Sequence, residues 1–300
     1  MKRLALVALA LLLMGGSAAA FVFFHARDSG EPMRWFRKNL WYRISTSAEP
    51  RDFPASATRA QVDEAFGAWT STACGLVPQV RYIGASTATH ATSPSRLSDE
   101  PDNVITFIGS TAQWVGAPAD GGLGNSTTEI AITKISHDAK TGEIIDADIE
   151  INDGGFEFTL SDDPDPDQID LLSMLTHEAG HYFGLDHSSD PEATMFPTHT
   201  RTGAGATQAR TLAADDIDGI CALYQDVPDS HYEDTGGDDG DSGNGCGAGP
   251  DGGLVWLVGL GVLGRWPFRR VARAVESAHE PDLSAGGARR RARAHDTRAR

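Results

Sequence analysis

The sequence predicts an α+β (α/β) domain, in which five strands and three helices occupy the middle of the chain, from about residue 34 to residue 228. Two observations lead to this fold class. Five short stretches are rich in β-branched and aromatic residues, which favour strands. Three longer stretches place apolar residues at intervals of three and four, which is the spacing of an amphipathic helix. The two ends of the 300-residue chain have the composition of processing segments rather than of a folded core.

The last of the five predicted strands gives the clearest pattern. From Ile145 to Ile151 every odd-numbered residue is apolar, and the even-numbered residues between them are acidic. A period of two predicts a half-buried strand with its apolar face towards the core. The five predicted strands are residues 39–45, 79–83, 103–108, 129–135 and 144–153.

Three helices are predicted from apolar spacing and from capping residues. Thr58 followed by Gln61 has the spacing of a capping box, so the first helix is expected to begin there. The second helix is expected over residues 168–183. The third is expected over residues 211–225, with Thr211 as its N-terminal cap.

The N-terminal 20 residues have the order of a secretory signal peptide. Lys2 and Arg3 precede an apolar run over residues 4–14, and small residues follow up to Ala20, where cleavage is expected. The apolar run is too short to span a bilayer comfortably, although an uncleaved N-terminal anchor is the alternative. Residues 21–33 would form a short segment before the domain. Either way we expect the chain to leave the cytoplasm.

Three segments of contrasting composition follow the domain. Residues 229–250 are rich in Gly, Asp and Ser and predict a flexible acidic linker. Residues 251–264 form an apolar segment, and residues 265–300 carry ten Arg against four Asp and Glu, a charge of +6. Because the formal charge of the whole chain is −17, the rest carries −23. The acidity of this part argues against nucleic acid as a partner.

The order of Cys246, an apolar segment and an arginine cluster resembles the C-terminal sorting tails of Gram-negative surface proteins, especially the myxobacterial kind. This resemblance implies a protein of the cell envelope, anchored at the outer surface, whose tail meets a membrane or a sorting enzyme. The positive-inside rule would hold the arginines in the cytoplasm. The alternative is a disordered basic tail with a chance apolar patch, because the apolar run is shorter than the ~20 residues of a spanning helix.

One stretch, THEAGHYFGLDHSSDPEATMF, places three histidines and one glutamate within a dozen positions. On a helix, His177 and His181 lie within about 40° of each other, since four residues make just over one turn. Glu178 lies beside them. Gly184 follows at the place of a left-handed C-cap, which lets the chain return with His187. Three neutral imidazoles leave the fourth position of a tetrahedral zinc ion to water, as in catalytic zinc sites.

A chance occurrence of the short H-E-x-x-H pattern is the alternative explanation of these residues. It leaves unexplained why a glycine and a third histidine follow at the required spacing. It also leaves unexplained the apolar face on the opposite side of the helix. The sequence therefore predicts a catalytic zinc site.

The same stretch resembles the zinc motif of the metzincin peptidases, H-E-x-x-H-x-x-G-x-x-H, and Met195 stands where that clan has its Met-turn. Ser188 after the third histidine, ATMFP at 193–197 and DDIDGICALY at 215–224 are most similar to the matrixin branch, peptidase family M10. The resemblance covers about residues 34–226. It implies a zincin-like catalytic domain with a mixed, twisted five-stranded sheet, three helices and the Met-turn below the zinc.

The resemblance also implies a role for each matching residue. Glu178 would be the general base of a secreted or surface-anchored zinc endopeptidase, whose substrate is an extended peptide or protein lying along strand 129–135. A catalytically lapsed, zinc-bearing binding module is the alternative, although such a module has no need of Glu178. We expect a monomer. The implied zinc ligands are His177, His181 and His187, the Met-turn residue is Met195, and the implied wall of the substrate pocket is Phe196, Pro197, Thr198 and His199.

The sequence leaves two alternatives open for calcium binding and two for the pairing of the cysteines. The acidic loop 161–167 could bind Ca²⁺, as in related enzymes, or be merely solvated, since it lacks the EF-hand spacing. Cys74 and Cys221 could form a disulfide in an oxidising compartment, or remain two buried thiols. Cys246 is the cysteine of the predicted sorting tail. His137 stands alone near the strands and is expected to be solvated.

Overall fold

The computed structural model describes six parts of the chain. They are residues 19–91, 102–116, 122–198, 206–225, 227 and 253–256. His199 of the predicted pocket wall, Cys246, the signal peptide up to residue 18 and nearly all of the predicted tail lie outside the described residues. Among the described residues, no helix is long and apolar enough to cross a membrane.

One mixed sheet forms the frame of the domain. The strands are β1 (Val22–Phe23), β2 (Asn39–Ser45), β3 (Gln79–Ser86), β4 (Val104–Phe107), β5 (Ala131–His137), β6 (Ile144–Ile151), β7 (Glu157–Thr159), β8 (Gln168–Asp170), β9 (Leu185–Asp186) and β10 (Gly253–Trp256). The five predicted strands are adjacent in the order β3-β2-β4-β6-β5. β2 pairs in parallel with β3 and β4, β4 pairs in parallel with β6, and β5 is antiparallel to β6. The predicted mixed five-stranded sheet is confirmed.

A sixth strand joins this sheet at its edge. β10 pairs antiparallel with β5, with Gly253 opposite His137 and Trp256 opposite Lys134. It comes from the predicted apolar segment 251–264, so four residues of that segment extend the sheet. The expectation that His137 is solvated is wrong, because its side chain is only 1% exposed.

The helices are α1 (Ala55–Thr70), α2 (Thr111–Val115), α3 (Leu171–Tyr182) and α4 (Ala214–Tyr224). Three of them are predicted, but each of these three begins at a different residue from the expected one. α1 starts directly after Pro54, and Thr58 lies inside the helix with its hydroxyl 3.4 Å from the Pro54 carbonyl. The expected capping box at Thr58 is therefore wrong. A proline has no N–H to donate. It therefore suits the N-terminal start of a helix, where the backbone N–H groups have no partner within the helix.

The start of α3 is set by a strand that the sequence did not reveal. Residues 168–170 form β8, which pairs in parallel with β7, so the helix begins at Leu171 instead of Gln168. The side chain of Asp170 accepts a hydrogen bond from the backbone N–H of Ser173 at 2.7 Å. This carboxylate caps the helix and faces its positive end, which stabilises the first turn.

Side chains also cap the first turns of the other two helices, α4 and α2. α4 begins at Ala214 rather than after Thr211, and the carboxylate of Asp216 accepts from the N–H of Ala213 at 2.8 Å. The short α2 was not predicted. The hydroxyl of Ser110 caps it by accepting from the N–H of Gln113. A cap of this kind is the one local signal that could have located so short a helix.

The core lies between the sheet and the helices α1 and α3. Two fully buried tryptophans outside α3 bond to its backbone: Trp69 donates to the carbonyl of Thr176, and Trp35 to the carbonyl of Tyr182, each at 2.8 Å. All twelve residues of α3 are buried. Burial of one large apolar side chain stabilises a fold by about 1.5–3 kcal/mol. The helix with the zinc motif is therefore fixed from several sides.

Residues 21–33, predicted as a segment before the domain, pack against it. β1 pairs antiparallel with β9, and the N–H of Phe24 donates to the carbonyl of Gly184 at 3.0 Å. The ring of Phe24 lies 5.4 Å from the ring of His181, centroid to centroid. This segment therefore helps to close the region of the histidines.

Cys74 and Cys221 are joined by a disulfide, with their Cα atoms 5.8 Å apart. The bond connects the loop after α1 to α4, across 147 positions of sequence. Both cysteines also pack against the core as partly buried side chains.

Candidate metal centre

The three predicted zinc ligands meet in one place. His177 and His181 lie on successive turns of α3, and His187 follows β9. One ligand atom from each histidine lies within 4.8 Å of the other two. Among the described residues this is the only group of three or more histidine, cysteine or acidic side chains that could hold a metal ion.

Gly184 allows the chain to turn back after α3. Its φ is +104°, a conformation that residues with a Cβ rarely adopt. A Cβ on this residue would lie 2.1 Å from the carbonyl oxygen of Met33. The turn, which the sequence predicts, brings His187 to the two histidines of the helix.

Backbone carbonyls orient two of the imidazole rings. Nδ1 of His177 lies 2.7 Å from the carbonyl oxygen of Thr194, and Nδ1 of His181 lies 2.8 Å from that of Leu185. Because a carbonyl only accepts, each Nδ1 carries the proton and each Nε2 keeps its lone pair. The Nε2 atoms of His181 and His187 are buried without a hydrogen-bond partner among the described residues. Ring nitrogens that lie this close together and include buried atoms without a partner fit the nitrogen ligands of a zinc ion.

Burial favours the neutral form of two of the three histidines, His181 and His187. Burial lowers the pKa of His181 to about 3, and the neighbouring His187 contributes to the same shift. Burial also lowers the pKa of His187. A neutral imidazole is the form that binds a metal, so the lowered pKa values of these two residues favour metal binding.

The predicted Met-turn lies against the zinc helix. Met195 is 2% exposed, and the carbonyl of the preceding Thr194 is the one that orients His177. The carboxylate of Asp216 on α4 accepts from the N–H groups of Thr194 and Met195 at 2.7 and 3.0 Å. Asp216 therefore holds the turn that orients a ligand. Helical spacing to Ile220 places Asp216 on the buried face of α4, which is the signal that could have identified it.

Glu178 is buried beside the histidines. Its side chain is 0% exposed, and its Oε2 accepts a hydrogen bond from the hydroxyl of Thr133 at 2.6 Å. Thr133 lies on β5, the strand along which the substrate is predicted to lie. Sequence reasoning missed this residue, because the two partners are 45 positions apart.

Comparison with known proteins agrees with this geometry. Residues 34–225 match the family model of the matrixins. The chain belongs to the matrixin family. Matrixins use zinc, so the family and the histidine triad indicate the same metal.

Several curated relatives are similar to this matrixin. Human matrilysin is 50% identical over 56 residues, 19% of this chain and 20% of the relative. Metalloendoproteinase 2-MMP of Arabidopsis thaliana is 28% identical over 223 residues, 69% of this chain and 50% of the relative. Interstitial collagenase of Bos taurus is 29% identical over 194 residues, 63% of this chain and 32% of the relative. The chain thus spans half or less of the length of these relatives.

Gly180 brings the zinc helix of this matrixin close to the Met-turn. A Cβ there would lie 2.2 Å from Sδ of Met195 and 2.7 Å from Cζ2 of Trp69. We expect Gly180→Ala to lower the free energy of unfolding by about 1–3 kcal/mol, because the extra methyl group overpacks the core. Urea denaturation measures the change.

A helical glycine elsewhere gives the matched control. Outside its own helix backbone, a Cβ added to Gly67 on α1 would meet no atom of the described residues within 4 Å, so Gly67→Ala should raise stability by about 0.5–1 kcal/mol. A Gly180→Ala variant as stable as wild type would contradict the close packing of helix and turn.

The predicted pocket wall follows the Met-turn directly. Phe196, Pro197 and Thr198 are partly buried, and the N–H of Phe196 bonds to the carbonyl of Ala193 at 3.1 Å. His199 lies outside the described residues. The role of these residues as a pocket wall stays a prediction.

Arg210 forms hydrogen bonds with the acidic loop 161–167, the candidate calcium site. Arg210 donates to the carboxylate of Asp162 at 2.6 Å and to the carbonyl of Ser161 at 2.9 Å. It also pairs with Asp170, and these bonds raise its pKa further above the usual value. Two oxygens of the loop thus already face a cation, and calcium binding stays a prediction.

Proposed function

We propose that this matrixin is a zinc-dependent endopeptidase. The supporting observation is that three histidines come together within reach of one metal ion, with the fully buried carboxylate of Glu178 beside them. Burial of a carboxylate is costly even where one hydrogen bond offsets part of the cost, and a binding module without catalysis would have no use for it there. The peptidase is therefore the better supported of the two functions.

The residues of the centre have separate tasks in the proposed mechanism. His177, His181 and His187 would hold the zinc ion. When bound, zinc supplies a Lewis acid that lowers the pKa of water and polarises the scissile carbonyl. Glu178 would accept the proton of the attacking water and later deliver it to the leaving amine.

We propose that the substrate lies extended along β5, as a strand added to the sheet edge. β5 passes beside the centre, since Thr133 contacts Glu178. β6 pairs with one side of β5, and β10 pairs with residues 134–137 on the other. The part of β5 around Thr133 would therefore receive the residues next to the scissile bond, and residues 196–199 would wall the pocket beyond it.

We also propose that the protein is exported as a monomer and carries its tail at the outer envelope, where a membrane or a sorting enzyme would be its partner. The disulfide fits an oxidising compartment. The N–H groups of Ala20 and Phe21 lie 2.8 and 3.1 Å from one carboxylate oxygen of Asp215. Cleavage after Ala20 would create an ammonium group at Phe21 beside that carboxylate, a favourable charge pair.

Chelation tests the proposed function. The full chain is incubated with an unfolded protein substrate, and cleavage is expected to stop when a zinc chelator is added. One equivalent of zinc should restore it, whereas calcium should not, because nitrogen ligands suit zinc and oxygen ligands suit calcium. Cleavage that continues after complete removal of zinc would exclude the mechanism. Zinc binding without any cleavage would favour the binding module.

A further inference from the structure

Thr133 makes a short polar contact with the Glu178 side chain. Its hydroxyl oxygen lies 2.6 Å from Oε2 of Glu178 and 3.2 Å from the backbone oxygen of the same residue. Both of these oxygens accept, so the single hydroxyl hydrogen is donated, and the shorter distance assigns it to the carboxylate. A hydroxyl bonded to a carboxylate at this distance is a charge-assisted hydrogen bond, stronger than one between neutral groups.

The Thr133 side chain is held more rigidly than the side chain it contacts. The residue is 1% exposed, and its backbone pairs with Ile149 of β6 in the interior of the sheet. A β-branched side chain in a strand has few rotamers to choose from. The terminal torsion of a glutamate is broad by contrast, so an unrestrained carboxylate turns readily. The hydroxyl therefore fixes the carboxylate, and not the reverse.

We propose that Thr133 is a positioning residue that fixes the orientation of the Glu178 carboxylate. It holds Oε2 against the substrate-binding strand, so Oε1 is the oxygen that takes the proton of the attacking water. This inference rests on the proposed function, in which Glu178 is the general base. It also links the strand that receives the substrate to the group that performs the proton transfer.

Two substitutions at this position separate the hydroxyl from the side-chain volume. Thr133→Val keeps the shape and removes the donor, and we expect kcat to fall about tenfold to a hundredfold with KM within about twofold, because orientation is lost but binding is not. Thr133→Ser keeps the donor, and it should restore kcat to within about threefold of wild type. Zinc content, measured by atomic absorption, should stay the same in both variants.

The matched control is a threonine that is equally buried but makes no such contact. Thr106 on β4 is 0% exposed, and its hydroxyl has no hydrogen-bond partner among the described residues. Thr106→Val should leave kcat and KM unchanged. If it lowers kcat as much as Thr133→Val, the loss is a general effect of changing a buried threonine, and the proposal fails.

A double-mutant cycle decides whether Thr133 acts through Glu178. In the full chain carrying Glu178→Ala, adding Thr133→Val should cause no further loss of cleavage. The urea midpoints of the metal-free single and double variants should likewise be non-additive. Additive effects on both cleavage and stability would overturn the proposal. A wild type that cleaves nothing would refute the proposed function, and the stability cycle would still decide whether the contact exists.

Discussion

Replacement of Glu178 by alanine is expected to lower kcat/KM by about two to four orders of magnitude, the usual contribution of a general base. Zinc content should remain at one ion per chain, because in the proposed mechanism the three histidines hold the metal and Glu178 does not. KM should change little, since the proposed role of the carboxylate is to act on the attacking water and not to bind the substrate. Initial rates on an unfolded protein substrate, together with zinc analysis of the same samples, measure both effects.

An exposed acid provides the control for this substitution. Glu64 lies on the solvent-exposed side of α1, away from the histidines, so Glu64→Ala should cleave as wild type does. A Glu178→Ala variant that is equally active would assign the proton transfer to another group. A variant that loses zinc as well as activity would give Glu178 a role in binding instead.

Removal of the disulfide is expected to have the largest effect on stability. The double replacement of Cys74 and Cys221 by serine should lower the free energy of unfolding by about 2–5 kcal/mol. The bond spans 147 positions, and closing a loop of that length in the unfolded chain corresponds to about 5 kcal/mol in the chain-entropy model. Urea denaturation of the double variant and of wild type, each without reductant, gives the difference.

Cys246→Ser provides the control for the loss of a thiol. Its urea midpoint should equal that of wild type, since Cys74 and Cys221 bond to each other. Addition of a reductant should lower the midpoint of wild type and leave that of the double serine variant unchanged. A wild-type midpoint that does not respond to reductant would show that the bond contributes nothing to stability.

The parts of the site that depend on local geometry could be predicted from the sequence. Two histidines four positions apart share a helix face whatever the rest of the fold does. A glycine after the helix permits the left-handed turn, and the structure gives Gly184 a φ of +104°. The alternation from Ile145 to Ile151 likewise located a strand, but the expectation that this strand is only half buried is wrong, because the acidic residues between its apolar ones are also buried. These local patterns, together with β-branched and aromatic composition, located the zinc motif and the five strands of the sheet.

The parts that depend on distant contacts could not be predicted. Asp216 is 21 positions from Met195 and holds its N–H, and Thr133 is 45 positions from Glu178. No periodicity in one sequence indicates which buried polar group meets which. The start of α3 could not be predicted for a related reason. The pairing of β8 with β7 keeps residues 168–170 in a strand, so the helix begins only at Leu171.

The pairing of β10 with β5 and the proposed insertion of the same C-terminal segment into a membrane exclude each other. The backbone of β10 is paired with residues 134–137 of β5, and a lipid-spanning segment must instead bond within itself. The same four residues cannot do both at once. Insertion of the segment into a bilayer would therefore remove β10 from the sheet. Residues 134–137 of β5 would then form an open edge, with which another chain could pair. Whether β10 is paired with β5 would therefore distinguish a tail that lies on the sheet from a tail that lies in a membrane.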